Sequence, residues 1–341
     1  MSVAILGIET SCDETAAAVV IDGITISSNI ISSQVEIHQK FGGVVPEVAS
    51  RKHLELINGV IRVALEEAGL SFKEIQAVAV TYGPGLAGAL LVGIATAKAI
   101  AYGLNVPLLA VNHLEGHIYA NFISSPVLPF PLICLVVSGG HTELILMERH
   151  GSYQFIGGTL DDAAGEVFDK IARVLKLGYP GGPLIEEIAR QGKEEAIFFP
   201  RAYLAEDSLD FSFSGLKTAV INYLRKSQQK NEMINPADVA ASFQKAVIDV
   251  LVDKTFAAAA RYQVKTVVLA GGVVANRQLR TRFLTRANKE KIEVIYPEPV
   301  FCTDNAAMIA CAGYYKYLRG EQAPFSLNAA PGLMLGTDGT V

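Results

Sequence analysis

The sequence predicts an α/β protein of two similar lobes, each a mixed sheet covered by helices, with a central cleft between them. Three observations carry this expectation. A βββαβαβα order of apolar segments occurs twice, a proline cluster separates the two copies, and 30 glycines in 341 residues supply many tight turns. Half of the residues are hydrophobic and 18% are charged, which suits large buried cores and excludes a disordered chain.

The first lobe, residues 1–127, opens with three β-branched runs, Val3 to Ile8, Thr15 to Ile21 and Ile24 to Ile31, the last two divided by the turn pair Asp22-Gly23. A helix starts at Pro46 and carries Leu54, Ile57, Ile61, Leu65 and Ala68 about one turn apart, stopping before Gly69. Strand Ala77 to Thr81, helix Leu86 to Tyr102, strand Pro107 to Val111 and a helix from Asn112 follow. Pro126, Pro129 and Pro131 mark the linker.

The second lobe, 128–341, repeats the order with strands Leu132 to Val137, Thr142 to Met147 and Tyr153 to Ile156. A helical insertion over 158–234 precedes a long helix from Asn235-Pro236 that aligns Val239, Phe243, Val247 and Leu251. Strand Thr266 to Ala270, helix Ala275 to Asn288, strand Ile292 to Tyr296 and helix Thr303 to Leu318 complete it, with room for that helix and the tail to pack back on the first lobe.

Composition narrows the function. Cys12, Cys134, Cys302 and Cys311 form no CxxC pair, so no zinc ribbon is encoded, and with no basic, apolar leader they suggest a reducing cytoplasm. The uncharged stretch Ile75 to Ala97 has the length of a bilayer span, but Tyr82-Gly83-Pro84-Gly85 interrupts it, so no membrane role is expected. A net charge of -5 disfavours wholesale nucleic-acid coating. One local exception stands out: Arg277, Arg280, Arg282, Arg286, Lys289 and Lys291 are opposed only by Glu290, either a nucleic-acid contact or a solvated helix face.

His113 and His117 stand four apart in Asn112-His113-Leu114-Glu115-Gly116-His117, one face of a helix, which suits two ligands to a divalent metal or two satisfied core histidines. A zincin peptidase needs Glu directly after the first His, whereas Glu115 is rotated by about 200° from His113 and faces away. Asp304 in Cys302-Thr303-Asp304-Asn305 is the best third ligand, with helix capping as the competing explanation. Two His and one carboxylate with open positions suit iron(II) and admit zinc.

Small-residue turns open each repeat, at Glu9-Thr10-Ser11-Cys12-Asp13-Glu14 and Ser138-Gly139-Gly140-His141, and such turns aim backbone N–H groups at anions. Gly83-Pro84-Gly85-Leu86-Ala87-Gly88 fits GxGxxG, but no acidic residue ends the next strand and a three-stranded meander precedes the unit, so close strand-to-helix packing explains it better than a nicotinamide. Gly271-Gly272 before Asn276 lets a base or ribose approach the backbone, as a close-packed turn also does.

Together with Gly42-Gly43-Val44-Val45-Pro46-Glu47, Gly165-Glu166-Val167-Phe168-Asp169-Lys170, Tyr179-Pro180-Gly181-Gly182-Pro183, Phe211-Ser212-Phe213-Ser214-Gly215-Leu216-Lys217-Thr218 and Cys302-Thr303-Asp304-Asn305-Ala306-Ala307-Met308-Ile309, these motifs span nearly the whole chain. The sequence thereby resembles the tRNA N6-adenosine threonylcarbamoyltransferases, formerly described as O-sialoglycoprotein endopeptidases, of the actin/Hsp70/sugar-kinase superfamily with RNase H-like lobes. The resemblance implies transfer of threonylcarbamoyl from threonylcarbamoyl-AMP to N6 of adenosine 37 in tRNAs reading codons that begin with A, releasing AMP.

By the same resemblance His113, His117 and Asp304 bind one divalent metal per subunit, with Fe(2+) favoured over Zn(2+). Val136, Val137, Ser138, Gly139, Gly140, Asp169, Gly182, Glu186 and Asn276 would bind the adenylate substrate, or ATP or AMP, in the cleft; Glu186 stands where bacterial members often carry Asp. Implied partners are tRNA, an inactive paralogue, a small ATPase and the enzyme that makes the adenylate. Transfer to a weakly basic amine needs a polarised electrophile more than a strong base, so Cys12 is not expected to be a nucleophile, and Asp13 or Glu14 either accepts the N6 proton or only shapes the turn or contacts a bound partner. The alternative is an ATP-binding Hsp70-like or sugar-kinase-like protein, which would hold magnesium mainly by carboxylates rather than by two histidines.

Overall fold

The computed structural model describes residues 2–204 and 207–336, and these fall into two compact units. One comprises Met1–Pro129, Arg149–Tyr153 and Pro297–Val341, the other Phe130–Glu148 and Gln154–Tyr296. The sequence division at 127/128 allows the last helix and the tail to pack back on the first lobe, and Pro297–Val341 falls in the first unit; Arg149–Tyr153 joins it as well.

In the first unit, strands β1 (Ala4–Glu9), β2 (Glu14–Ile21) and β3 (Thr25–Ser33) lead through the short helix α1 (Val35–Gln39) to α2 (Pro46–Ala68). Then come β4 (Ala77–Gly83), α3 (Ala87–Leu104), β5 (Leu108–Asn112) and α4 (His113–Ser124). The sheet order is β3-β2-β1-β4-β5, with β1 antiparallel to β2 but parallel to β4, and β4 parallel to β5. Every residue of β1 is buried because helices cover both faces. Leu6, Ile8, Val19, Val78 and Val80 meet Ile57, Ile61, Leu65 and Leu90 from α2 and α3 on one face. Strand periodicity sends Ile5, Gly7 and Glu9 to the other.

Among the described residues α3 alone is long and apolar enough to cross a membrane, and it packs against β4 and α2.

The second unit repeats the topology. β6 (Leu132–Val137), β7 (Thr142–Met147) and β8 (Gln154–Gly158) form a meander, followed by α5 (Ala164–Val174), α6 (Gly181–Ala189), α7 (Ser214–Gln229) and α8 (Pro236–Arg261). β9 (Thr266–Ala270), α9 (Arg277–Glu290) and β10 (Glu293–Ile295) close the sheet β10-β9-β6-β7-β8, in which β6 is parallel to β9 and antiparallel to β7. Back in the first unit, α10 (Pro299–Cys302) precedes α11 (Ala306–Leu318), which packs against β1, β2, β4 and α4.

Two helix starts differ from the sequence reading. A 3-10 turn, Gly272–Ala275, replaces the first turn expected from Ala275, because Asn276 caps α9 by accepting from the Leu279 N–H at 3.0 Å. The last helix begins at Ala306 instead of Thr303, because Asn305 is its cap, accepting from the Met308 N–H at 3.0 Å. Asp304 is therefore free of capping duty.

Candidate functional site

Parallel strands β1 and β5 flank β4 on either side, and their carboxyl ends carry Glu9 and Asn112. Ligands of open α/β sheets collect at such ends. Asn112 caps α4, its side chain accepting from the Leu114 N–H at 2.8 Å, so His113 and His117 lie on the first buried turns. Two glycines bring α11 close enough to present Asp304. A Cβ on Gly7 would sit 2.4 Å from the Ala306 carbonyl oxygen, and one on Gly116 would meet Ile309 Cδ1 at 2.6 Å.

His113 Nε2 and His117 Nε2 lie 3.4 and 3.1 Å from Asp304 Oδ1, and one donor atom from each residue falls within 4.8 Å of the others. An ion about 2.1 Å from each ligand holds its ligand atoms about 3.0 to 3.4 Å apart. Neither ring nitrogen of the buried His117 makes a hydrogen bond. A core histidine would normally be satisfied, so an orphaned Nε2 facing a carboxylate oxygen fits a metal ligand.

The electrostatics agree. Burial works against charge on His113, yet Asp304 and Glu9 hold its imidazole well above the ordinary range. Burial also opposes charge on Asp304, and His113 and His117 hold its carboxyl far below the usual range. Carboxylates in this setting call for positive charge, which an imidazolium or a divalent cation supplies.

Sequence reasoning missed Glu9. Its buried carboxylate accepts from the Thr81 hydroxyl at 2.6 Å and the Ser11 N–H, and lies 3.0 Å from His113 Nδ1. A carboxylate behind a ligating imidazole fixes the tautomer that frees Nε2 for metal. Charge at the end of an otherwise apolar strand was the available signal. His53 was missed as well: its Nε2 donates to the Cys12 carbonyl at 3.0 Å and its Nδ1 accepts from the Thr15 hydroxyl at 2.8 Å, bracing the turn that carries Asp13 and Glu14.

Asp13 is buried and Glu14 half-buried. Burial, with the Asp304 and Asp13 carboxylates nearby, pushes the Glu14 carboxyl up to about 9, and its Oε1 accepts from the Ser33 hydroxyl at 3.0 Å. The Cys12 thiol is pushed far above its ordinary value by burial and by Asp13, which leaves it a poor nucleophile. Glu115 points elsewhere, accepting from the Tyr153 hydroxyl at 2.7 Å and pairing with Lys316 at 3.3 Å.

In the second unit Val136 and Val137 end β6 beside the end of β9. Ser138 starts the next turn, its N–H bonding to the His141 carbonyl at 2.9 Å, while Gly139 and Gly140 have open space where a side chain would stand. Gly271, at φ 95°, lies so close to Val137 that a Cβ would sit 2.4 Å from its carbonyl oxygen. The Gly165 N–H donates to the Ser138 carbonyl at 3.1 Å, and the Gly181 N–H to Asp169 Oδ1 at 2.7 Å, next to the open Gly182. Glu186 accepts from the Arg277 N–H at 3.1 Å, directly after Asn276. Successive contacts thus tie Val137, Ser138, Asp169, Gly182, Glu186 and Asn276 into one neighbourhood.

The basic stretch is less free than its composition suggests. Arg280 donates to the Val274 and Ala275 carbonyls at 2.8 and 2.6 Å, Arg282 pairs with Glu194, and Arg286 pairs with Glu290 and Asp253. Arg277, Lys289 and Lys291 are exposed.

Comparison with known proteins gives a consistent picture. A family model described as tRNA N6-adenosine threonylcarbamoyltransferase matches residues 25–311. Curated relatives of that name from Desulfitobacterium hafniense and Clostridium kluyveri are 59% and 58% identical over 331 and 333 residues, 97% of this chain and 97% and 98% of theirs. Among solved structures, full-length HypF in its phosphate- and nucleotide-bound form superposes with a TM-score of 0.61 at 15% identity, over 94% of this chain and 47% of that one. Component A of the Acidaminococcus fermentans (R)-2-hydroxyglutaryl-CoA dehydratase superposes with a TM-score of 0.54 at 16% identity, over 93% of this chain and 99% of that one. At such identities the structural likeness concerns the fold alone.

Proposed function

The chain belongs to the tRNA N6-adenosine threonylcarbamoyltransferase family, and from that premise we infer how its residues divide the reaction. The protein is a transferase that modifies tRNA, taking threonylcarbamoyl from threonylcarbamoyl-AMP to N6 of an adenosine, at position 37 in tRNAs reading codons that begin with A. N6 attacks the carbamoyl carbon, the bond from that carbon to the phosphate oxygen breaks, AMP leaves with the electron pair, and N6 gives up one proton. The observation that carries the site reading is the convergence of His113, His117 and Asp304.

These three side chains would hold one divalent ion, iron(II) ahead of zinc for a two-His, one-carboxylate set, and when bound it supplies a Lewis acid for an electron-rich oxygen. Glu9 holds His113 with Nε2 toward that ion. The segment Val136, Val137, Ser138, Gly139 and Gly140 lies against the adenylate, with the N–H groups of Gly139 and Gly140 toward its phosphate because the Ser138 N–H is held by the His141 carbonyl, and Asp169, Gly182, Glu186 and Asn276 bind its nucleoside. The Asp13 and Glu14 pair takes the N6 proton, since of two neighbouring acids whose charges oppose each other one holds its proton and the other is left as the acceptor. The exposed Arg277, Lys289 and Lys291 meet tRNA phosphates. The inactive paralogue, the small ATPase and the adenylate-forming enzyme are the proposed partners, and the cytoplasm the proposed compartment.

An ATP-driven Hsp70-like or sugar-kinase-like role is not favoured, because full-length relatives near 58% identity carry the transferase name. The test is incubation of the metal-loaded protein with threonylcarbamoyl-AMP and unmodified tRNA, with and without the partners, followed by nucleoside analysis. Threonylcarbamoyladenosine must appear at position 37; its absence in every combination overturns the reading.

A further inference from the structure

Asn276 is held by a chain of side-chain amides that ends on a charge. Its Oδ1 is committed to the α9 cap, accepting from the Leu279 N–H at 3.0 Å, and its Nδ2 donates to Gln244 Oε1 at 2.7 Å. Gln244, buried on α8, donates through Nε2 to Gln278 Oε1; Gln278 donates through Nε2 to Glu194, whose other oxygen pairs with Arg282.

The direction of every link is fixed from both ends. A carboxylate can only accept, so Glu194 compels Gln278 to turn its N–H toward it and its oxygen toward Gln244. Gln244 must then turn its own oxygen toward Asn276, which presents Nδ2 in reply. The α9 cap imposes the same choice, because a helix N–H needs an oxygen. An Asn amide has two N–H hydrogens, and this network uses one. The second stays oriented, at the start of α9, without the entropy of a free rotor.

We propose that Gln244 and Gln278, polarised by Glu194, are positioning residues for the adenylate: they aim the remaining Asn276 N–H at the bound nucleotide and couple its orientation to the basic helix α9. The inference rests on the assignment of Asn276 to the adenylate neighbourhood. It adds residues that touch no substrate themselves, since Gln244 and Gln278 act only through Asn276. Arg282 completes the chain, so its pairing with Glu194 serves orientation rather than RNA contact.

The experiment uses full-length, metal-loaded protein with its partners and reads kcat, KM for threonylcarbamoyl-AMP, the Kd of AMP, and Tm. Gln244→Leu keeps volume but removes both links, and KM and the AMP Kd should rise about tenfold with kcat nearly unchanged, the size expected from one misdirected hydrogen bond. Gln244→Glu keeps the acceptor facing Asn276, so it should restore KM to within about twofold even where its Tm falls as far as that of the Leu variant. Equal KM values for the Leu variant and the wild type, or equal losses in the Leu and Glu variants, overturn the proposal. Asn276→Asp, which retains the cap oxygen and lacks the N–H, separates the two layers. If it leaves KM and the AMP Kd unchanged, the adenylate role of Asn276 itself fails; if it raises both while Gln244→Leu does not, only the relay fails. Should Gln244→Leu not fold, Gln278→Leu in α9 carries the same expectations and the same refutation.

Discussion

Replacing Glu9 by Gln should weaken metal binding without opening the fold. The side chain accepts from the Ser11 N–H, from the Thr81 hydroxyl and, at 3.0 Å, from His113 Nδ1. An amide of the same shape keeps one oxygen for Ser11, and Thr81 can rotate to accept. The His113 contact is different, because an amide N–H there requires Nδ1 to accept, which moves the ring proton to Nε2, the atom facing Asp304. That tautomer cannot ligate. The site also loses a negative charge whose carboxyl the His113 charge, working against burial, holds below the ordinary range. Loss of such a partner costs roughly 10- to 100-fold in metal affinity, or about 1.4 to 2.8 kcal/mol. Competition with a calibrated chelator, read with zinc and then with iron(II) under anaerobic conditions, measures it. Wild-type affinity in the Gln variant would refute the argument that Glu9 sets the tautomer, and a collapse of Tm in the metal-free protein would show that it serves the fold instead.

Two further outcomes are expected. Glu14, raised to about 9 by burial and by Asp304 and Asp13, binds a proton in the native state that the unfolded chain releases near the ordinary carboxylate value, so stability of the chelator-treated protein should fall as pH rises from about 4.5 to 9. Denaturant midpoints across that range check it, and Glu14→Gln should flatten the slope; a rise in stability across the window contradicts it. Arg277→Glu with Lys289→Glu should weaken tRNA binding and lower its log–log salt slope by roughly one to two, while the AMP Kd stays within about twofold; an unchanged slope would return this helix to the solvated-face reading.

Much of this architecture was legible because burial on both sheet faces leaves continuous uncharged runs such as residues 4–8 and Leu132–Val137, and because α2 announces both its ends with Pro46 and Gly69. The His pair was legible from helical spacing and Asp304 from its position before a helix. Which of Thr303, Asp304 and Asn305 would cap α11 was not, since all three are able caps and the choice falls to how Gly7 and Gly116 seat that helix against β1 and α4. Tertiary pairing was equally hidden. Sequence separation gives no hint that Glu9 backs His113, or that Glu194 answers Arg282, and without that second pairing the charge of α9 was read as more available than it is.

The central claim is that His113, His117 and Asp304 hold the metal on which threonylcarbamoyl transfer depends. Elemental analysis and nucleoside analysis run in parallel on the wild type and the His113→Ala, His117→Ala double variant test it most directly. The account predicts about one iron or zinc per wild-type chain, none in the variant, and threonylcarbamoyladenosine only in tRNA treated with the wild type, with circular dichroism unchanged between the two. A double variant that retains one metal per chain, or that modifies tRNA at the wild-type rate without it, would contradict the account.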